Sequence, residues 1–196
     1  MYGTRITSEE KSTLSTYIGL IVVTALAAGG IYFFVLAQKE NKQAIGFDPN
    51  RPMPSDASLR RRLKPEQYNV ARQGGTEMPF QNEFWNNDRV GLYVDVITGE
   101  PLFTSLDKYD AGLGMPTFTK PISKDLLAES LDTSHEMQRT EVHAKRSNAH
   151  LGHVFPDPAS PTGERYTLNS AAFHFIPLEK MKQEHYEAFL PLLETK

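Results

Sequence analysis

The sequence predicts a mainly β, antiparallel domain behind one N-terminal transmembrane helix, with a C-terminal amphipathic helix appended. Three observations predict it. Residues Tyr17 to Ala37 form an apolar run of 21 residues without a charge. From Gly75 onward the chain reads as short alternating segments punctuated by turn residues, with few helical patterns between them. That pattern favours an antiparallel domain over a parallel α/β sheet. After Pro177, apolar residues recur at helical spacing.

Composition narrows the function classes. The chain has 196 residues, a net charge of -3 and no cysteine. One domain with appendages is the expected size. The charge balance lacks the basic footprint of nucleic-acid binding. Without cysteine there can be no disulfide, no thiolate metal site and no cysteine nucleophile, and the redox compartment stays open.

Residues 1–14 read as a polar tail, and its Glu9 and Glu10 argue against an acid-poor transit peptide. Residues 15–37 read as a transmembrane helix, since 21 residues at a helical rise cover about 30 Å, the thickness of a bilayer core. Tyr17 at one end and Tyr32, Phe33 and Phe34 at the other suit the two interfaces. Ala25-Leu26-Ala27 fits a signal-peptide cleavage site, but the apolar run continues past it as an anchor does. Ala25 and Gly29 form a small-x-x-x-small pair of the kind that lets membrane helices approach. Positive charges after the span (Lys39, Lys42, Arg51) outnumber those before it (Arg5, Lys11), which favours a cytoplasmic domain. A short basic tail before an uncleaved signal-like segment favours export, and the expectation is a single-pass protein with its domain on the extracytoplasmic, periplasmic side.

Residues 38–62 contain Pro49, Pro52 and Pro54 and read as a semi-stiff linker. The stretch from Ser58 to Gln73 looks helical with an interruption near Pro65, and its Arg60, Arg61 and Arg62 read as a solvated face or a contact for acidic headgroups. Gly91 to Ser105 alternates around a Thr98-Gly99 turn and predicts a hairpin. Ser123 to Leu131 is a short helix candidate capped by Ser123. Strands are expected over Arg139–Ala144, His153–Phe155 and Arg165–Ile176. In the terminal extension, 178–196, Leu178, Met181, His185, Tyr186, Phe189, Leu190 and Leu193 have helical spacing.

Chemistry concentrates between Asn148 and Ala172. His150 and His153 lie three apart, a Pro/Gly-rich loop follows, and Arg165, Thr167 and Asn169 alternate. On a strand that alternation aims all three side chains to one face. With the blocks G-T-E-M-P-F, Y-V-D-V-I-T-G-E-P-L-F, S-H-E-M-Q-R-T-E-V, H-L-G-H-V-F-P-D and P-T-G-E-R-Y-T-L-N-S-A-A-F-H-F, all in order, residues 63–177 resemble B-type methionine sulfoxide reductases. The resemblance implies a fold of two small antiparallel sheets with peripheral helices. It also implies a chemistry in which a thiolate attacks the sulfoxide sulfur and the resulting sulfenic acid is cleared by a second thiol.

The family's attacking cysteine falls on Thr167, its resolving cysteine on Leu113, and the tryptophan that packs on the substrate methyl on Met115. A hydroxyl beside a base can be a nucleophile, but it cannot cycle through sulfenic acid and disulfide. The zinc-bearing members' four cysteines fall on Asp95, Thr98, Ala144 and Ser147, so no metal or other cofactor is expected. His150, His153, Asp157, Arg165 and Asn169 fall on pocket positions, with His153 where the family positions or protonates the sulfoxide oxygen. These five have two readings: a retained pocket, or hydrogen bonds that hold the fold. The expectation is an inactive, membrane-anchored member of this family. It would serve as a structural subunit of a larger membrane complex, such as a respiratory or photosynthetic one. Its partners would be the bilayer and other membrane subunits, met through the span and the domain surface. The alternatives are a reductase that borrows an external thiol and a sensor that binds a sulfoxide without reducing it.

Overall fold

Ser55 and Lys64 each open a helix in the computed structural model, which describes residues 46–194. The Ser55 hydroxyl accepts from the Ser58 N–H at 3.3 Å, with Asp56 in the first turn of α1 (Asp56–Arg62) and three arginines in its last turn, complementing the helix dipole. Helix α2 (Pro65–Gln73) starts on proline, where no N–H is needed, and stops at Gly74 in a left-handed conformation. The expected break near Pro65 is present. Leu59, Leu63, Tyr68, Val70 and Ala71 turn into the core. Arg60 pairs with Asp56 at 3.0 Å and stacks over the Tyr68 ring, and Arg62 donates to the Ile97 carbonyl at 2.6 Å, so two of the three arginines have protein partners.

The predicted tail, the span at 15–37 and the linker up to residue 45 lie outside the described residues. Among the described residues no helix is long and apolar enough to cross a membrane. The described part of the expected linker, 46–62, falls in the same compact unit as the rest of the described chain. Arg146 donates to the carbonyls of Pro49 and Arg51, the latter at 2.7 Å, and Leu59 is buried. An extended, proline-rich segment leaves its carbonyls free, and a half-buried arginine uses them.

Nine strands follow: β1 (Gly91–Asp95), β2 (Pro101–Thr104), β3 (Lys108–Tyr109), β4 (Thr117–Phe118), β5 (Leu127–Asp132), β6 (Arg139–Ala144), β7 (Ala149–Pro156), β8 (Glu164–Leu168) and β9 (Phe173–Pro177). They form two antiparallel sheets, a three-stranded one in the order β2-β1-β9 and a six-stranded one in the order β3-β4-β8-β7-β6-β5. The β1–β2 hairpin turns at Gly99, whose positive φ suits a tight turn and whose N–H bonds the Asp95 carbonyl at 2.8 Å. Aromatic rings fill the core: Tyr93, Phe103, Phe118, Tyr166 and Phe173 are at most 2% exposed, and Tyr93–Phe118 and Phe103–Phe118 meet at 5.0 and 4.8 Å.

Three expected elements differ. Ser123 does cap a turn, accepting from the Asp125 N–H, but only one 3-10 turn, Lys124–Leu126, follows before the chain extends into β5. Pairing of Leu127–Asp132 with β6 overrides the local helix propensity. The segment Arg165–Ile176 is not one strand: a 3-10 turn, Ser170–Ala172, divides it so that β8 and β9 enter different sheets. The C-terminal segment is not an α-helix. It runs as two 3-10 segments, Leu178–Lys180 and Glu187–Leu193, with His185 at positive φ between them and Pro191, which lacks an N–H, inside the second. Its apolar spacing is nevertheless used. Met181, Tyr186 and Leu193 pack with Leu92, Val94 and Ile176, covering the face of the three-stranded sheet turned away from the aromatic core.

Candidate functional site

Strand alternation gives the six-stranded sheet one apolar and one polar face. On β8, Tyr166 and Leu168 point into the core and Arg165 and Thr167 point away. Thr167 is the register partner of Thr117 on β4 and of His153 on β7, and His153 is the partner of Glu141 on β6. One row thus runs Thr117, Thr167, His153, Glu141 across four strands. His150 joins this face although it lies an odd number of positions, three, from His153. The pairing of β6 with β7 shifts between Val142 and His143, so that Gly152 faces Val142 and His150 faces His143. The extra residue, Leu151, is a β-bulge that brings His150 round beside His153, their ring centroids 5.8 Å apart. Gly152 belongs to the same device, because a Cβ there would collide with the Thr167 carbonyl.

The polar groups on this face are satisfied mostly by one another. Arg165 stacks its guanidinium 4.9 Å from the Phe155 ring, pairs with Asp157 at 3.3 Å and donates to the Thr167 hydroxyl at 2.8 Å. Asp157 also accepts from the Tyr109 hydroxyl at 3.2 Å. His153 Nε2 lies 2.8 Å from Asp132, which Arg139 also contacts. The Ser134 hydroxyl and N–H, then His153 and Arg139, hold the Asp132 carboxyl well below its ordinary range. His150 Nδ1 lies 2.6 Å and His143 Nε2 3.1 Å from opposite oxygens of Glu141. Burial pushes His150 down, outweighing the pull of Glu141, so this imidazole is neutral at neutral pH.

The structure therefore brings Thr167, Arg165, Asp157, His153 and His150 onto one face and leaves Asn169 off it. Strand β8 ends at Leu168, and Asn169 is 2% exposed. Its side chain accepts from the Glu77 N–H at 3.0 Å and donates to the Leu151 carbonyl at 3.1 Å, tying the segment after α2 to the bulge. Met115 lies two residues before Thr117, half-buried, with Asn82 Nδ2 3.5 Å from its sulfur. Leu113 stands between Gly112 and Gly114, 41% exposed. Glu141, His143, Asp132 and Arg139 also belong to this face and were missed in the sequence. The alternation Arg139, Glu141, His143 within R-T-E-V-H-A was the signal that could have found three of them.

A family model for the SelR domain matches residues 63–177, more than half of the chain. The chain belongs to the SelR domain family. This is the domain of the B-type methionine sulfoxide reductases that the motifs resemble, and here it contains no cysteine. The positions that hold zinc in the metal-bearing members are gathered at the ends of β1 and β6, but they do not fit the ion. They offer no thiolate, and Ala144 offers no ligand at all. The buried Asp95 carboxylate is occupied by the Ile97 and Thr98 N–H groups at 3.1 and 3.2 Å and by the Thr98 hydroxyl at 2.5 Å. The Ser147 hydroxyl accepts from the Ala149 N–H at 3.1 Å. A hydrogen-bonded knot stands where the metal would.

Proposed function

We propose that this SelR domain is catalytically inactive and serves as a structural or interaction subunit of a larger membrane assembly, held to the bilayer by the apolar segment at 15–37. The observation that carries the inactivity is the state of Thr167. Reduction of a sulfoxide needs a group that accepts oxygen and gives two electrons, which a thiol does by passing through sulfenic acid and disulfide. A threonine hydroxyl has no such cycle. Nor is Thr167 set up as a plain nucleophile: Arg165 donates to it, and the nearest histidine across the ladder, His153, is turned to Asp132. A donor in place of a base leaves nothing to take the hydroxyl proton.

What supports a role in an assembly is the sequence around the domain. A charge-free run long enough to span a bilayer precedes it, and the small pair Ala25/Gly29 offers a packing surface. Extraction of native membranes in mild detergent tests this. Migration with other polypeptides at a mass well above one chain is the expected result, and migration only as a free monomer would end the proposal.

The closeness of Arg165 and His153 around Thr167 favours a second reading, in which an external thiol or a sulfoxide in a partner protein uses the same face. Binding that discriminates methionine sulfoxide from methionine and falls on His153→Ala is its test, and equal affinity for both compounds removes it.

A further inference from the structure

We propose that Glu141, His143 and His150 form a binding site for one divalent cation of the zinc class. One ring nitrogen from each histidine and a carboxylate oxygen of Glu141 all lie within 4.8 Å of one another. Ligands bonded to zinc at about 2.0–2.2 Å in a tetrahedron are separated by roughly 3.3–3.6 Å, so small side-chain rotations close the set on an ion. The site needs no thiol and does not rest on the loss of reductase chemistry proposed above.

The backbone builds this cluster. Alternation on β6 puts Glu141 and His143 on the polar face with Val142 in the core between them, and the bulge at Leu151 brings His150 beside them. Two imidazoles and one carboxylate suit zinc, nickel or copper better than magnesium or calcium, which prefer all-oxygen sets.

Glu141 already draws one nitrogen of each ring towards a common point, His150 Nδ1 at 2.6 Å and His143 Nε2 at 3.1 Å. The other nitrogen of each ring, His150 Nε2 and His143 Nδ1, is buried without a hydrogen bond among the described residues, so neither ring is tied down from its far side and both can turn towards an ion. The ring centroids of His143 and His150 lie 5.7 Å apart at 72°. His153 is outside the set: its Nε2 lies 2.8 Å from Asp132, not from Glu141.

The test uses the untagged full-length chain, stripped with a chelator and dialysed. Zinc is titrated by calorimetry, and cobalt(II) by visible absorption, which reports coordination geometry. One ion per chain with micromolar or tighter affinity is expected. His143→Ala and His150→Ala should each weaken binding by about tenfold or more, in line with the loss of metal-site residues. His174→Ala, an exposed histidine on β9, should bind like the wild type. Circular dichroism checks each fold, and if His150→Ala fails to fold, the half-buried His143 variant decides alone. Absence of stoichiometric binding by the wild type would overturn the proposal, as would equal affinity in the wild type and the folded variants.

Discussion

Replacing Asn169 with alanine separates the two readings of the polar residues, a pocket or a set of struts. The Asn169 side chain is nearly fully buried and makes two hydrogen bonds, from the Glu77 N–H and to the Leu151 carbonyl. The consequences of losing them are unequal. The Leu151 carbonyl keeps a partner, because the Asn169 backbone N–H also bonds it at 2.8 Å, so that loss costs only about 0.5–1.5 kcal/mol. The Glu77 N–H is left buried without an acceptor, which costs about 1–3 kcal/mol. Together Asn169→Ala should destabilise the domain by about 1.5–4.5 kcal/mol. Urea unfolding followed by the fluorescence of Trp85, the chain's single tryptophan, measures it directly. A loss under about 0.5 kcal/mol, the level of an ordinary surface substitution, would refute the reasoning and return Asn169 to the pocket.

Met181 is fully buried against the three-stranded sheet, so Met181→Ala should cost about 2–5 kcal/mol in the same unfolding assay, and a negligible cost would detach the C-terminal segment from the fold. Asp132 has a folded pKa depressed below its ordinary 3.8, so its stabilising contribution is present above that value and is lost as pH falls through and below it. Asp132→Asn should therefore flatten the acid limb of the stability profile, and an unchanged limb would show that its partners do not hold it ionised. Thr167→Cys places a thiol beside the Arg165 guanidinium, which favours the thiolate. Incubation with methionine (R)-sulfoxide should then give one sulfenic acid per chain by mass spectrometry, and a folded variant that stays unmodified would show that the face around Met115 has closed.

Much of the fold was legible because local signals and tertiary packing agreed. The break at Pro65 and the turn at Gly99 each sit where their backbone chemistry places them. The Arg165–Thr167 half of the site followed from alternation alone. Other parts depended on long-range pairing that no short window contains. Leu127–Asp132 extends because β6 offers a ladder, and Asn169 leaves the polar face because β8 ends one residue earlier. His150 and His153 share a face only through the bulge at Leu151, and without it a three-residue spacing on a strand would have sent them to opposite sides. At the C-terminus the apolar spacing identified which residues are buried but not the helix type, since His185 at positive φ and Pro191 break an α-helix without moving Met181, Tyr186 and Leu193 off the sheet.

We propose that a SelR domain whose thiol position holds Thr167 has kept the fold without the chemistry. Turnover of methionine (R)-sulfoxide by the purified chain with excess dithiol tests it most directly. The expected rate equals that of the dithiol alone. A rate above that control, abolished by His153→Ala, would contradict it.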